Sequence, residues 1–278
     1  MKKRFPYFKI AIHGLIILYV VFLLFPLVWV LASSFKPTPE IYSGSPTILP
    51  RHITLEHYLS VINGQLLFRS MWNSIIVGIM STILVVLVAV PSAYAMVRYK
   101  SFINNAILGW ILVSQIFPVI LVMIPLYIVL RYIGLTDSLT GLTLIYIVWS
   151  LPFVLWMMHG YVKSIPFELE EAAVLDGASR TQVIFKVILP LLLPAIGACA
   201  LFSFISAWNE FFFAFVLMKS PTLATLQVEL ARYTGMEGQA RTGPLAAASI
   251  IATIPSIILF IIMRKWLTTG LVAGALKG

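Results

Sequence analysis

The chain has 278 residues, of which 60% are hydrophobic and only 10% charged, against about 25% charged in an average soluble domain; this excludes a soluble globular protein and describes an integral membrane one. Its formal net charge of +9 does not imply nucleic acid, because the Lys and Arg residues gather at the ends of apolar runs, where membrane orientation needs them. With Cys199 the single cysteine, neither a disulfide framework nor a cysteine-rich metal site can form within the chain.

Six stretches are free or nearly free of Asp, Glu, Lys and Arg for about 20 residues or more, the length that crosses a hydrocarbon core of about 30 Å. They run roughly over 10–34, 71–94, 105–130, 141–159, 192–218 and 244–263, and the expected fold is an all-α membrane protein forming one transmembrane domain over 1–278. The first is too long for a cleavable signal, no A-x-A site follows it, and it is expected to stay as a span. It ends in LASSFKPTPE, where Pro37 and Pro39 stop the helix. A turn-rich segment then leads to a short helix from Leu55 to about Ile62. His52 and His57 stand five apart, off the i, i+4 spacing of a helical metal pair, and read as surface residues. Pro91 should kink the second span. The third, with Gln115, Pro118 and Pro125, is interrupted in a way that membrane tolerates only against protein or a water-filled cavity. Asp137 and Ser138 read as caps for the fourth.

Residues 160–190 join the fourth and fifth spans, and PFELEEAAVLDGASRTQVIFKVILP, Pro166 to Pro190, holds four of the ten acidic residues. Two short helices and a turn are predicted. Pro166 suits a first helical position, and Glu168, Glu170 and Glu171 fall where the helix dipole favours anions. Gly177 suits a left-handed terminator, and Ser179 with Gln182 makes a capping box that restarts a helix running into Pro190. Ala172 and Ala173 put small side chains beside acidic ones, as a docking knob would. On helical pattern alone, a solvated amphipathic loop between membrane helices is the better fit.

The spacing is more specific. Glu171-Ala172-Ala173, then Gly177, Val187, Leu189 and Pro190, is similar to the cytoplasmic coupling loop of ATP-binding-cassette importer permeases, with Val187 where the family pattern has Ile. The resemblance implies that this loop enters a cleft on a separate ATPase subunit, with Glu170, Glu171, Ala172, Ala173, Asp176, Gly177 and Ala178 as the coupling residues. A cytoplasmic loop puts both termini in the cytoplasm. Twelve Lys and Arg then lie inside against seven outside, which agrees with the positive-inside rule.

Pro190 and Pro194 stiffen the connection from this loop into the fifth span, which continues into FSFISAWNEFFFAF. Glu210 is the only acidic residue within a span, and an ionisable group there is a functional candidate because burying it is expensive. About 15 residues at 1.5 Å each place it about 22 Å from the inner end. Pairing with a cation of a partner helix, or reaching the outer interface, are equal alternatives for Glu210. Sugars are bound by planar amides, carboxylates and aromatic faces, and Trp208, Asn209, Glu210 and Phe211 supply all three types. The run resembles the AWNE or AWND of carbohydrate permeases, and the four make up the candidate substrate path. Neighbours on a helix diverge, so not all of them can face one cavity.

The sixth span begins with an Ala-rich LAAAS suited to close helix packing and leads into RKWLTTGLVAGALKG. Gly270, Gly274 and Gly278 argue against a stable helix there. Yet GLxxGAxKG resembles the end of maltose-type sugar permeases, whose tail reaches toward the ATPase dimer, and this makes Gly270, Gly274 and Lys277 candidate contacts. No G-x-x-x-x-G-K-[ST] is present, so an ATP cradle must come from another polypeptide. The resemblance thus implies a non-enzymatic, multi-pass subunit of a prokaryotic inner membrane with no cofactor of its own. Its implied partners are a second permease subunit, two ATPase subunits that bind ATP and Mg, an extracytoplasmic solute-binding protein and a carbohydrate. Importers of glycerophosphate-type solutes share these motifs. An ion-coupled secondary transporter would need several intramembrane acids or histidines, where only Glu210 is available. A membrane enzyme would need a clustered catalytic constellation, and none is evident.

Overall fold

The structure, a computed structural model, describes residues 6–44, 47–99, 102–235 and 241–275. All regular elements among the described residues are helical. Helix α1 (Pro6–Ser34) is followed by the short α2 (Thr38–Ile41) and α3 (Glu56–Asn63), then by α4 (Leu66–Arg98). Next come α5 (Phe102–Ser114), α6 (Val119–Tyr132), α7 (Leu139–Ser164), α8 (Glu168–Leu175) and α9 (Arg180–Gln182). Helices α10 (Leu189–Asn209), α11 (Phe212–Leu217), α12 (Leu226–Arg232) and α13 (Thr242–Ala275) complete the order. Five helical stretches among the described residues are long and apolar enough to cross a membrane: Lys9–Ser34, Leu66–Arg98, Leu139–Ser164, Arg180–Asn209 and Thr242–Ile262.

The interruption expected in the third span is present, and two other expected boundaries change. The stretch expected as a third span is two helices, α5 and α6, interrupted at 115–118, where Pro118 holds an extended ψ of 132° and supplies no N–H to continue the ladder. The helix restarted by Ser179 does not stop at Pro190 but passes from α9 through a π-helical stretch, Val183–Ile188, directly into α10. The wider π turn tolerates a missing N–H, and such turns recur at functional places. The fifth span does not run unbroken to 218, because the backbone is extended at Glu210, with ψ 128°, before α11 begins. The tail also departs from its glycine content: α13 is helical through Gly270 and Gly274 to Ala275. Once a long helix is nucleated each added residue brings one hydrogen bond, and two glycines at about 1 kcal/mol each do not end it. Lys277 and Gly278 lie outside the described residues.

The chain divides into two compact units. One takes the described residues through Leu67 together with Leu230–Ile254. In it Lys36 is buried, donating to the Thr47 carbonyl and lying over the Trp29 ring, and Glu56 accepts from the Thr38 backbone N–H at 2.9 Å. His57, expected at the surface, is only 3% exposed. Its Nε2 lies 2.8 Å from the Lys36 carbonyl, and Gly243 sits so close to the ring that a Cβ there would collide with it. Partnering by one backbone carbonyl explains the burial without a metal.

The second unit takes Phe68–Glu229 and the described residues from Pro255. Its core has two clusters. One packs Val77 of α4, Met123 of α6, Leu142 and Ile145 of α7 and Phe213 of α11; the other packs Ala89 and Ala93 of α4, Val154 and Met158 of α7 and Ala195 of α10. Lipid tails are as apolar as these side chains, so close fit rather than water exclusion holds such helices together, and small residues permit it. Gly78 shows the tightness, since a Cβ there would come within 2.9 Å of the Phe204 ring. Polar ties join distant segments. Asn73 donates to the carbonyls of Thr222 at 3.0 Å and Ala224 at 2.9 Å, and Leu226 N donates to Ser74 Oγ at 2.8 Å. Ser138 caps α7 by accepting from Gly141 N, but Asp137 does not join it. Asp137 instead accepts from Lys219 N, Ser220 N and Ser220 Oγ, at 2.8, 3.0 and 2.6 Å, from a left-handed backbone at φ 51°.

Candidate functional site

The loop after α7 forms a folded knob. Ile165 ends α7 in an extended conformation, and α8 starts at Glu168, so Pro166 precedes the helix instead of opening it. Gly177 has φ +87°, the left-handed conformation that L side chains resist, and Ala178 N returns to the Ala173 carbonyl at 3.0 Å to close the turn. The capping box is complete: Gln182 N donates to Ser179 Oγ and Ser179 N to Gln182 Oε1. Adjacent acids part company here. Glu171 is exposed, whereas Glu170 is 7% exposed. Its carboxylate accepts from Arg98 Nε at 2.5 Å and from Tyr94 Oη at 2.7 Å. Ala172, Asp176 and Gly177 are exposed, while Ala173 and Ala178 pack against the cluster of Ala89, Ala93 and Val183. Beside them Phe167, Val174, Leu175 and Phe185 are at least half exposed, Leu175 at 88%. A short helix that ties one acid, Glu170, inward while exposing apolar side chains beside Glu168, Glu171 and Asp176 is built to meet a protein surface.

The second candidate lies where α10 gives way to α11. Trp208 is buried, 4% exposed, and stacked on Phe204 at 5.8 Å. Its carbonyl, released by the end of α10, accepts from Gln227 Nε2 at 3.2 Å. Asn209 is exposed, with Nδ2 donating to the Ile205 carbonyl at 2.9 Å. Glu210 accepts from Tyr146 Oη at 2.8 Å, from Phe213 N at 2.9 Å and from Ala214 N at 3.2 Å. Its partners are therefore a phenol and the first free amides of α11, a satisfied arrangement that needs no cation. Phe211 is half-buried and stacks on Phe215 at 5.2 Å. Of the four path candidates, then, Asn209 alone is exposed; the chain itself engages Trp208 and Glu210.

Residues 85–272, more than half of the chain and including the knob, the break and most of α13, match the family described as "Binding-protein-dependent transport system inner membrane component". The chain belongs to that family. This permease is 47% identical over 229 residues to the putative ABC transporter permease protein ORF1 of Streptomyces antibioticus, covering 82% of the permease and 100% of the relative. It is 34% identical over 256 residues to the trehalose transport system permease protein SugB of Mycobacterium tuberculosis, covering 92% and 93%. Among solved structures it is similar to a chain of a bacterial ABC transporter involved in the import of the acidic polysaccharide alginate, with TM-score 0.81, 25% identity and 96% and 99% coverage. It is an inner-membrane transport component made of helices, as its composition and motifs lead one to expect.

Sequence reasoning missed Tyr94 and Arg98 as parts of the knob, and Tyr146 as the partner of Glu210. Spacing held one signal: Tyr94 and Arg98 stand four apart on one helix face, a placement that lets two side chains grip one group.

Proposed function

We propose that this permease forms half of the translocation path of an ATP-driven carbohydrate importer, with six spans, both termini cytoplasmic and 1–278 acting as one transmembrane domain. The third crossing, added to the five long helical stretches, is made by α5 and α6 together, each too short alone at about 1.5 Å per residue. The knob of 166–190 is the coupling element. The observation that carries the reading is its outward apolar surface of Phe167, Val174, Leu175 and Phe185 on a turn fixed by Gly177. Glu171, Ala172, Asp176 and Gly177 meet an ATPase subunit directly, while Glu170, Ala173 and Ala178 hold the knob in shape. Gly270 and Gly274 of the α13 tail, and Lys277, contact the same partner.

Two ATPase subunits bind ATP and Mg and do the hydrolysis, a second permease completes the path, and an extracytoplasmic binding protein delivers the solute. The chain itself performs no catalysis. Alternating access needs states with different affinity for the ATPase closure, and the knob is where that difference is applied. A carbohydrate is the favoured solute because relatives named for trehalose and alginate match nearly the full length. Asn209, on the exposed side of the break, offers the planar amide that sugar hydroxyls pair with.

The test is reconstitution in proteoliposomes of the permease with its genomic neighbours: a second permease, an ATPase and a binding protein. ATP-dependent uptake of a sugar that the binding protein captures is expected. Uptake driven by an ion gradient without ATP would replace this reading with a secondary transporter, and uptake of a glycerophosphodiester in place of any sugar would change the solute class.

A further inference from the structure

We propose that Tyr94, Arg98 and Glu170 form an intramolecular latch that makes α4 a second output arm of the knob; the proposal rests on the importer reading above. The knob is joined by chain continuity to α7 on one side and, through α9 and the π-helical stretch, to α10 on the other. Covalent continuity supplies no link to α4, and side chains do. Arg98, the last residue of α4, reaches the end of α7 and two residues of the knob at once. Its Nε donates to Glu170 Oε1 at 2.5 Å, its Nη2 to the Ile165 carbonyl at 3.1 Å, and its guanidinium lies 5.5 Å from the Phe167 ring centroid. Tyr94, one turn earlier, donates to the other carboxylate oxygen at 2.7 Å.

This geometry uses what is particular to arginine, a planar fork with several donors and a face that stacks on an aromatic ring. Both partners of the ion pair are nearly buried, with side chains 10% and 8% exposed, so neither is available to a separate subunit. Two discrete arrangements of packed elements are what carry motion between sites. A movement imposed on α8 is therefore delivered to α4 as well as α10, and α4 packs in both core clusters through Val77, Ala89 and Ala93. Glu170 is in this sense a positioning residue, and its neighbour Glu171 faces the partner.

The experiment uses the whole reconstituted complex with Glu170→Gln, Arg98→Gln, the double variant and Tyr94→Phe. Assembly with the ATPase and ATP hydrolysis should persist, while solute moved per ATP hydrolysed falls by about 5-fold or more in each of the first two, the low end of ordinary coupling between sites. The double variant should be no worse than either single one, because both break the same link. Amide exchange across α8 should accelerate in all four without a matching change in α7. Wild-type stoichiometry in Glu170→Gln and Arg98→Gln, or a silent Arg98→Gln beside an impaired Glu170→Gln, overturns the latch. If Glu170→Gln fails to accumulate in membranes, Arg98→Gln and Tyr94→Phe decide the matter by the same exchange measurement. A wild-type complex that shows no ATP-driven uptake sinks the importer reading instead, and unchanged α8 exchange in the variants would then sink the latch separately.

Discussion

The knob after α7 and the break between α10 and α11 both bring an acidic residue to a change in chain direction, and both turn it inward. Glu170 is held by Arg98 and Tyr94, and Glu210 by Tyr146 and two amides of α11. What they leave outside differs. The knob exposes Phe167, Val174, Leu175 and Phe185, an apolar surface that gains by covering another protein; the break exposes Asn209, an amide that gains by pairing with something polar. In each, the acid builds the local shape and its neighbours meet the partner. A motif such as E-E-A-A or W-N-E-F therefore mixes scaffold and contact residues, and only burial separates them.

The largest effect should come from removing the scaffold acid at the break. Glu210→Ala leaves the Tyr146 hydroxyl and the amides of Phe213 and Ala214 without their acceptor, and each unsatisfied buried group costs about 1 to 3 kcal/mol. A lowered melting temperature of the detergent-solubilised permease is expected. An unchanged one would show that the break does not depend on this acid. Next, Gly177→Val forces a β-branched residue into a left-handed turn at φ +87°. A penalty of about 1 to 2 kcal/mol corresponds to roughly tenfold weaker ATPase association, read by titration of the ATPase onto permease in nanodiscs. Membrane insertion should not change.

Asn209→Ala should reverse this pattern, with stability kept and uptake weakened. A lost hydrogen bond to solute, worth about 0.5 to 1.5 kcal/mol, would raise the half-saturating concentration by roughly 2- to 10-fold. Identical uptake curves would assign Asn209 to packing. The smallest effect concerns Asp137. The Ser220 hydroxyl bond, with the Ser220 and Lys219 amides, holds its carboxyl below the ordinary aspartate range. A depressed folded value means that this carboxylate stabilises above the ordinary aspartate range and that its contribution is lost as pH falls through the folded value. Asp137→Asn should flatten that part of the melting temperature against pH profile, and parallel profiles would remove Asp137 from the account.

Legibility in the sequence followed contact range. The Gly177 turn and the Ser179–Gln182 capping box arise within four residues of chain, and both appear as spacing predicts. The partners of Glu170 lie 72 and 76 residues away and that of Glu210 lies 64 away, beyond any local pattern. His57 was misplaced for the same reason, since the carbonyl that satisfies it belongs to Lys36. The helix end at Glu210 escaped hydropathy because the residues on both sides of it are equally apolar, whereas the break at Pro118 was legible in the proline itself. The α13 tail escaped composition because helix propagation outweighs two glycines.

The central claim, that this knob is the contact to a separate ATPase, is tested most directly by placing a photo-reactive benzoylphenylalanine at Leu175 in the complete complex and, as control, at the exposed Phe212 of α11. The Leu175 probe should crosslink to the ATPase subunit with high yield and the Phe212 probe should not. Equal yields from the two probes, or a Leu175 probe that labels only lipid, would contradict it.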